Sequence, residues 1–279
     1  MSARFLRIFY RMSREISRFS AKAATRLEWL LISRELAAIP DLYEIYRTMR
    51  RSPEAGWTVG EDDVLRLYRL VLGRQPRHIL EFGTGIGLST AAMALALTHA
   101  GPASPAGGRG GRITTLEQNA RCIEIARSLI PADLAGLIEF VHADAKIFQI
   151  PEISNWQWFC GYAWNPPAGA VYDFVLIDGP SGWVEGDELI SLDHGDVFRL
   201  LRHMAPGATI YVDGRRQTAK KLKRYLSRHL ALVEQGSEYA IFRRNAEPLP
   251  PAAGSIITDA KLEAAGKRGP YVISSRKKA

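Results

Sequence analysis

A glycine-rich turn constrains the fold of this chain more than any other feature of its sequence. Residues 79–82 predict a short strand, the glycines at 83, 85 and 87 predict a tight turn, and residues 88–97 predict a helix. Glycine has no Cβ atom, so a ligand can approach the backbone of such a turn closely. The N-terminus of the following helix carries unpaired N–H groups and attracts anionic groups. The pattern is a variant of the nucleotide-binding turn of doubly wound α/β proteins.

The acid before the glycines distinguishes this turn from the dinucleotide-binding type. The third glycine comes one residue earlier than in the dinucleotide pattern. Glu81 would repel a pyrophosphate, whereas it suits a ligand that carries an ammonium group. S-adenosylmethionine (SAM) carries an ammonium and a carboxylate and has no phosphate. The alternative is a tight strand-to-helix turn in another α/β protein, and the turn alone leaves that alternative open.

The segment 81–87, Glu-Phe-Gly-Thr-Gly-Ile-Gly, closely resembles motif I of class I SAM-dependent methyltransferases. The resemblance implies a Rossmann-like α/β fold that binds SAM at this turn. The cofactor-binding residues that it implies here are Glu81, Gly83, Thr84, Gly85, Gly87 and Ser89.

Acids also follow the next two predicted strands. Glu117 ends the strand predicted at 112–117, where a carboxylate can accept hydrogen bonds from both hydroxyls of a ribose. Its alternative role is to cap the helix predicted at 118–129. Asp144 follows the strand predicted at 137–142, and the resemblance implies that Asp144 and the neighbouring Ala145 lie against the adenine.

A fourth acid, Asp178, ends an apolar run at 172–177 that predicts a central parallel strand buried on both faces. This segment resembles motif IV of the same family, and Asp178 is expected at the cofactor. Ligands of open α/β sheets bind outside the carboxyl ends of the strands. We therefore expect Glu81, Glu117, Asp144 and Asp178 to converge at one edge of the sheet.

The remaining elements complete the expected fold. Residues 207–213 predict a strand, 215–229 a helix, and 231–235 with 238–243 an antiparallel pair. The sequence thus predicts a doubly wound, mostly parallel seven-stranded sheet in a SAM-binding domain at 57–244. A basic, amphipathic helical extension is expected at 1–56, and a loosely ordered basic tail at 245–279.

Candidate catalytic residues lie at the ends of two adjacent strands. Asp178 and Asp213 could hold Mg²⁺ against a substrate oxygen, an arrangement that resembles the metal-dependent catechol-type O-methyltransferases. That group has Asn after the second acid and Lys soon after the first, whereas this chain has Gly214 and the run 179–183, Gly-Pro-Ser-Gly-Trp. The Asp-Gly-Pro form looks more like methyltransferases of sugars and polysaccharides. His194 is the candidate base, and a surface histidine at a helix N-terminus is its alternative.

These residues favour a SAM-dependent methyltransferase that acts on a hydroxyl oxygen of a small molecule or saccharide. One alternative is another SAM-fold enzyme, such as an aminopropyltransferase. Those enzymes carry a second acid in the motif IV loop, which the segment 178–181 lacks. The other alternative is a non-catalytic, membrane-associated binding protein that keeps the fold.

Composition limits the class of protein. A chain of 279 residues with 47% hydrophobic residues can bury one large core. Its two cysteines exclude a disulfide framework, and no apolar run is long enough to span a bilayer. We expect a cytoplasmic protein, with peripheral attachment to the inner face of a membrane as a further hypothesis.

Two segments suggest partners. Seven basic residues recur every three or four positions from Arg4 to Arg26, beside a stripe of apolar residues, which fits an amphipathic helix on an anionic membrane. Packing on the domain and an organelle presequence are the alternatives. The aromatic segment 150–170 is expected on the opposite side of the sheet from the cofactor. It could form a sugar or lipid platform or a homodimer contact there, or a satellite apolar cluster under a long loop. No RNA-binding module is visible, so no specific nucleic acid is expected.

Overall fold

The computed structural model describes residues 30–101, 110–150, 154–180, 183–185, 188–190 and 192–247. The basic stripe at 4–26 and most of the predicted tail lie outside the described residues. The described helices are α1 at 30–37, α2 (Pro40–Arg50), α3 (Glu61–Arg74), α4 (Leu88–His99), α5 (Ala120–Leu129), α6 (Ala132–Ala135), α7 (Asp196–Leu200) and α8 (Arg216–Tyr225). Two 3₁₀ turns are at Ala55–Trp57 and Leu201–His203.

The described strands number twelve in chain order. They are β1 (His78–Phe82), β2 (Arg112–Glu117), β3 (Ile138–His142), β4 (Ala145–Ile150), β5 (Ser154–Tyr162), β6 (Tyr172–Ile177), β7 (Trp183–Glu185), β8 (Glu188–Ile190), β9 (Asp193–His194), β10 (Met204–Asp213), β11 (Leu230–Gln235) and β12 (Tyr239–Arg244).

Seven of these strands form the main sheet in the order β11-β12-β10-β6-β1-β2-β3. The pairs from β10 to β3 are parallel, while β12 pairs antiparallel with both β10 and β11. This is the order of the class I methyltransferase sheet, so the predicted fold class is confirmed. The chain leaves β1 toward β2 and β3 and later returns to β6 on the other side of β1. The gap between β1 and β6 is thus the topological switch point, where ligands of such sheets bind.

Each face of the main sheet carries its own apolar cluster. Ile79, Phe174 and Leu176 face the cluster that contains α2, α3 and α4, whereas Leu80 and Phe82 face the cluster that contains α7 and α8. Helix α4 is buried on every side from Leu88 to Leu97, because small alanines let it approach both the sheet and its neighbouring helices. This close packing positions the N-terminus of α4 at the carboxyl edge of β1.

The crossover from β3 to β6 contains the β4–β5 hairpin and, in the described residues, no helix. Strand β5 pairs with β4 and β9 in a second sheet. Phe159 and Tyr162 of β5 are buried in the core cluster on the α8 side of the main sheet. The prediction of a satellite cluster under a long loop is therefore wrong for this part of the segment. Its residues 154–162 are a strand that joins the core.

Part of the predicted N-terminal extension packs on the domain. Leu36 of α1 and Leu42, Ile45 and Met49 of α2 are buried in the same cluster as α3 and α4. Among the described helices, none combines the length and the apolar content that a membrane crossing needs.

Candidate cofactor and acceptor site

The glycine turn is anchored to the end of the neighbouring strand. The backbone N–H groups of Gly83 and Thr84 both donate to the carbonyl oxygen of Leu116, at 2.9 and 3.1 Å. The Thr84 and Thr115 hydroxyls are hydrogen-bonded at 2.6 Å. Residues 83, 85 and 87 all have positive φ, which glycine adopts without strain. The sequence therefore folds this segment into a rigid turn with its N–H groups at the carboxyl edge of β1.

The three glycines are required for three different reasons. A Cβ atom on Gly83 would lie 2.5 Å from the backbone nitrogen of Gly179, so this glycine lets the turn approach the end of β6. A Cβ atom on Gly87 would lie 2.9 Å from Ile130, which follows α5. Gly85 alone of the three has no atom within 4 Å of the position of an added Cβ. The open space for a ligand is therefore above Gly85.

Glu117 lies beside this open position. Its two carboxylate oxygens accept hydrogen bonds from the backbone N–H groups of Gly85 and Asn119, both at 2.9 Å. The residue is only 8% exposed. Helix α5 is capped by the Asn119 side chain, which accepts from the N–H of Arg121. Glu117 is thus held against the glycine turn. The helix cap, which was the alternative role of Glu117, is provided by Asn119 instead.

Glu81 lies under the turn, on the face of β1 that packs against α4. It has no exposed surface, and its two oxygens accept hydrogen bonds from Ser89 and Thr90, both at 2.5 Å. Burial raises the pKa of Glu81 to about 7, although the hydroxyl donors oppose the shift. Glu81 and Ser89, two of the expected cofactor residues, are thereby bonded to each other at the base of α4.

Asp144 and Ala145 lie at the same edge, beyond β3. Asp144 is exposed, and its carbonyl oxygen accepts from the N–H of Ala163. Ala145 begins β4 opposite Tyr162. The N–H of the preceding Ala143 donates to the carbonyl oxygen of Glu117 at 3.0 Å, which ties this loop to the end of β2.

Asp178 follows β6, Asp213 ends the adjacent β10, and Arg215 influences both acids electrostatically. The guanidinium of Arg215 donates to the carbonyl oxygen of Asp178. Burial raises the pKa of both carboxyls, and the electrostatic attraction of Arg215 opposes the shift at each of them. Repulsion by Asp178 also raises the pKa of Asp213, as expected for like charges in one site. The Arg215 Nε atom is buried, and the described residues offer it no hydrogen-bond partner.

His194 is completely buried, so the structure excludes the surface position that was its alternative. Its ring lies 4.8 Å from that of Phe82, centroid to centroid, and its Nε2 is 3.2 Å from an Asp196 oxygen without hydrogen-bond geometry. Burial lowers the pKa of His194, which favours a neutral imidazole. Burial would raise the pKa of Asp196, but His194 and Arg199 hold it below its ordinary value.

Two residues of this region were not predicted. Tyr162 is buried beside the switch point, where its hydroxyl would lie 2.7 Å from a Cβ atom on Gly179. This position also corrects the prediction that the whole aromatic segment lies away from the cofactor turn. Arg215 is the second such residue. It could have been predicted from its position two residues after Asp213, because an acid that is buried at a strand end needs a compensating charge.

The described acidic and histidine side chains of this region are not arranged as a metal-ligand cluster. Across the described ranges, no three or more His, Cys, Asp or Glu side chains are grouped so that they could hold a metal ion. Asp178 and Asp213 are therefore a pair of acids with an adjacent arginine.

Solved structures with similar folds include three methyltransferases. The O-methyltransferase TomG from Streptomyces achromogenes, solved with SAM, is 19% identical with a TM-score of 0.45, over 74% of this chain and 89% of that chain. The O-methyltransferase from Bacillus cereus, solved with SAH, is 18% identical with a TM-score of 0.45, over 77% of this chain and 97% of that one. SAH-bound PaMTH1 from Podospora anserina is 13% identical with a TM-score of 0.45, over 73% and 87%.

No family model matches the sequence, and no curated protein matches it. At identities below 20% and TM-scores below 0.5, the solved structures transfer no activity or substrate to this chain. The function is accordingly inferred from the geometry of the site.

Proposed function

We propose that this protein is a SAM-dependent methyltransferase that transfers a methyl group to a hydroxyl oxygen. One observation carries the proposal: the space above Gly85 is open at the switch point, and the carboxylate of Glu117 borders it. Each carboxylate oxygen of Glu117 accepts one hydrogen bond within the protein. Because a carboxylate oxygen can accept more than one hydrogen bond, both oxygens can still bind the hydroxyls of a ligand. The residues therefore fit a ribose-bearing ligand without a phosphate.

Different residues around the turn are proposed to bind different parts of the ligand. The N–H groups at Gly83 and Thr84 are already engaged by Leu116, so the open approach is over Gly85. Glu117 is the proposed ribose ligand, and Asp144 with Ala145 the proposed adenine edge. Glu81 and Ser89 form the buried base, and we propose that a bound ammonium group lowers the raised pKa of Glu81, so that the ionised carboxylate balances the charge of the ammonium. When bound, SAM supplies an electrophilic methyl group.

The acceptor hydroxyl has to be held against that methyl group and has to lose its proton. Positioning of the two reactants contributes much of the rate in such a displacement. Asp178 and Asp213 lie at the adjoining strand ends, and burial raises the pKa of both carboxyls, which makes them stronger bases than ordinary aspartates. We propose that this pair receives the hydroxyl proton. His194 is the alternative base, although its ring is enclosed behind Phe82.

The proposed transfer does not use a metal ion. The predicted Mg²⁺ site would consist of Asp178 and Asp213, and the positively charged Arg215 already interacts with both acids. A divalent cation at this position would be repelled by the guanidinium. Arg215 therefore replaces the charge compensation that Mg²⁺ would give, and the residues do not fit a resident metal.

Chelation distinguishes these arrangements. Full-length protein is incubated with labelled SAM and a panel of hydroxylated small molecules and saccharides, with and without exhaustive EDTA treatment. We expect label transfer to an oxygen that survives chelation and that falls by roughly 10²-fold or more in Asp213→Asn. Loss of transfer on chelation, restored by Mg²⁺, would contradict metal-independent transfer. If Asp213→Asn retains activity and His194→Gln abolishes it, His194 is the base.

The two alternative functions make different predictions in the same assay. An aminopropyltransferase would transfer no methyl group, and its donor would be a decarboxylated form of SAM. A non-catalytic binding protein would show no transfer to any acceptor. Neither alternative has a specific observation in its favour, since the second acid expected for polyamine binding is absent from 178–180.

A further inference from the structure

A groove lies beside Asp213 at the same edge of the sheet as the glycine turn. It is a cavity of about 350 Å³ between the N-terminal half of α8 and the turn that joins β11 to β12. Its lining includes the end of β10, which is two strands away from β1, or about 10 Å along the sheet. The groove is therefore close enough to the proposed reaction centre to receive a second part of one acceptor molecule.

Basic side chains dominate the charge of this groove. Arg215, Arg216 and Lys220 line it, and Glu238 is the one acid in its described lining. Arg216 donates to Glu238 and to the carbonyl oxygen of Ser237, so that acid is neutralised. The groove's own lining therefore remains basic, with Lys220 as the cation that no described acid compensates and Arg215 shared with the neighbouring Asp178 and Asp213.

Two of these cations have capacity for a ligand. Lys220 is exposed and makes no hydrogen bond or ion pair with any described residue. Arg215 also lines the groove, and its guanidinium has more N–H donors than the one bond to the carbonyl oxygen of Asp178 uses.

The backbone of the groove also favours an anion. Helix α8 has no side-chain cap at its N-terminus and no acid in its first turn. Its first N–H groups and its dipole therefore add positive potential beside the basic side chains. The remaining lining includes the apolar Val212, Ala219 and Ala240, which can contact carbon atoms.

We propose that this groove binds a phosphate group of the methyl acceptor, so that the acceptor is a hydroxylated compound that also carries a phosphate. A phosphate monoester is anionic at neutral pH, which complements the basic lining of the groove. Arg215 connects the two regions, because it lines the groove and also donates to the carbonyl oxygen of Asp178. The acceptor role rests on the proposed function, whereas the phosphate site itself can be tested separately.

The test titrates full-length protein with glycerol 3-phosphate in low-salt buffer by isothermal calorimetry. Lys220→Gln is compared with the matched control Lys223→Gln, which makes the same charge change on an exposed position of α8 outside the groove. We expect saturable binding that Lys220→Gln weakens by about tenfold or more and that Lys223→Gln leaves nearly unchanged. Equal losses in the two variants, or no binding by the wild type in either this arm or the vesicle arm, would overturn the proposal.

A second arm identifies the source of the phosphate. The same proteins are sedimented with phosphatidylcholine vesicles that contain or lack phosphatidic acid. Binding of glycerol 3-phosphate assigns a soluble phosphorylated acceptor, and Lys220-dependent binding of the phosphatidic acid vesicles alone assigns a lipid headgroup. SAM is titrated in parallel. SAM binding without either phosphate interaction overturns this inference alone, whereas Lys220-dependent phosphate binding without SAM binding overturns the proposed function and leaves the phosphate site.

Discussion

Glu81 is a carboxylate without exposed surface, and its two hydrogen-bond donors come from the helix that follows the glycine turn. An acid in this environment binds a proton more tightly than it does in the unfolded chain, because burial disfavours the ion. Its pKa rises from the ordinary 4.5 to about 7. The stability of the glycine turn is therefore linked to pH.

The sign of this linkage follows from the raised pKa. The contribution of Glu81 to stability is complete below about pH 4.5 and is lost as the pH rises through about 7. We expect the Glu81→Gln variant to lack this loss, so that the wild type loses roughly 3 kcal/mol relative to the variant between these pH values. Urea unfolding of both proteins across the range measures the difference. Parallel stability curves would contradict a raised pKa at Glu81.

The strand-end acids show what the sequence can predict at the residue scale. Glu117 and Asp178 were predicted at strand ends, because an apolar run that ends in an acid is typical of a strand that leads to the ligand edge of this fold. The partners of these acids could not be predicted. Arg215 reaches Asp178 only because β6 and β10 are neighbours in the sheet, although the two residues are 37 positions apart in the sequence.

Substitutions of two glycines in the glycine turn can distinguish ligand binding from packing. Gly85 and Gly87 both have positive φ, at +52° and +90°, so a side chain costs backbone strain at either position. They differ in their surroundings, since only the Gly85 position is open.

We expect Gly85→Ala to lose SAM affinity by about tenfold or more, because its methyl group would enter the ligand space, with destabilisation of about 1–2 kcal/mol. Gly87→Ala should destabilise the fold more, because its Cβ atom would lie 2.9 Å from Ile130. Thermal unfolding and calorimetry of the two variants separate these effects. If the Gly85→Ala protein binds SAM as tightly as the wild type, the ligand does not lie above Gly85.

The β4–β5 hairpin shows where the prediction of elements failed. The segment 154–162 places Trp156, Trp158, Cys160 and Tyr162 at alternate positions, which is the period of a strand. The prolines at 151, 166 and 167 favoured a loop, yet they only border the strand. Helix α8 ends at Tyr225, four residues before the predicted end, and β11 begins soon after. The polar residues between Tyr225 and β11 did not indicate where α8 ends.

Across the whole molecule, the fold class was predictable and the extent of the domain was not. The alternation of apolar runs with helical segments is sufficient to predict a doubly wound sheet. Leu36, Leu42 and Met49 of α1 and α2 are buried in the same cluster as α3 and α4, but in sequence they look like one face of an amphipathic helix. An amphipathic pattern identifies an apolar face without identifying what covers it. The domain boundaries at 56 and 244 therefore stay predictions.

The N-terminal basic stripe also stays a prediction, because residues 1–29 lie outside the described residues. Deletion of residues 1–26 removes the stripe and leaves every described residue in place. We expect the deletion to abolish co-sedimentation with anionic liposomes and to spare SAM binding, since each basic residue near the surface contributes about 1 kcal/mol of attraction. High salt should weaken the attachment of the intact chain. Unfolding of the truncated protein would instead assign the segment to packing on the domain.

The open turn at Gly85, with Glu117 beside it, is the proposed SAM site. Calorimetric titration of SAM into the full-length protein, Glu117→Ala and the control Glu124→Ala is the direct test of this site. Glu124 is an exposed acid on α5 whose charge is the same. We predict one site per chain in the wild type, an affinity about 10- to 100-fold weaker in Glu117→Ala, and no change in Glu124→Ala. No SAM binding by the folded wild type, or equal affinities for the wild type and a folded Glu117→Ala protein, would contradict the account.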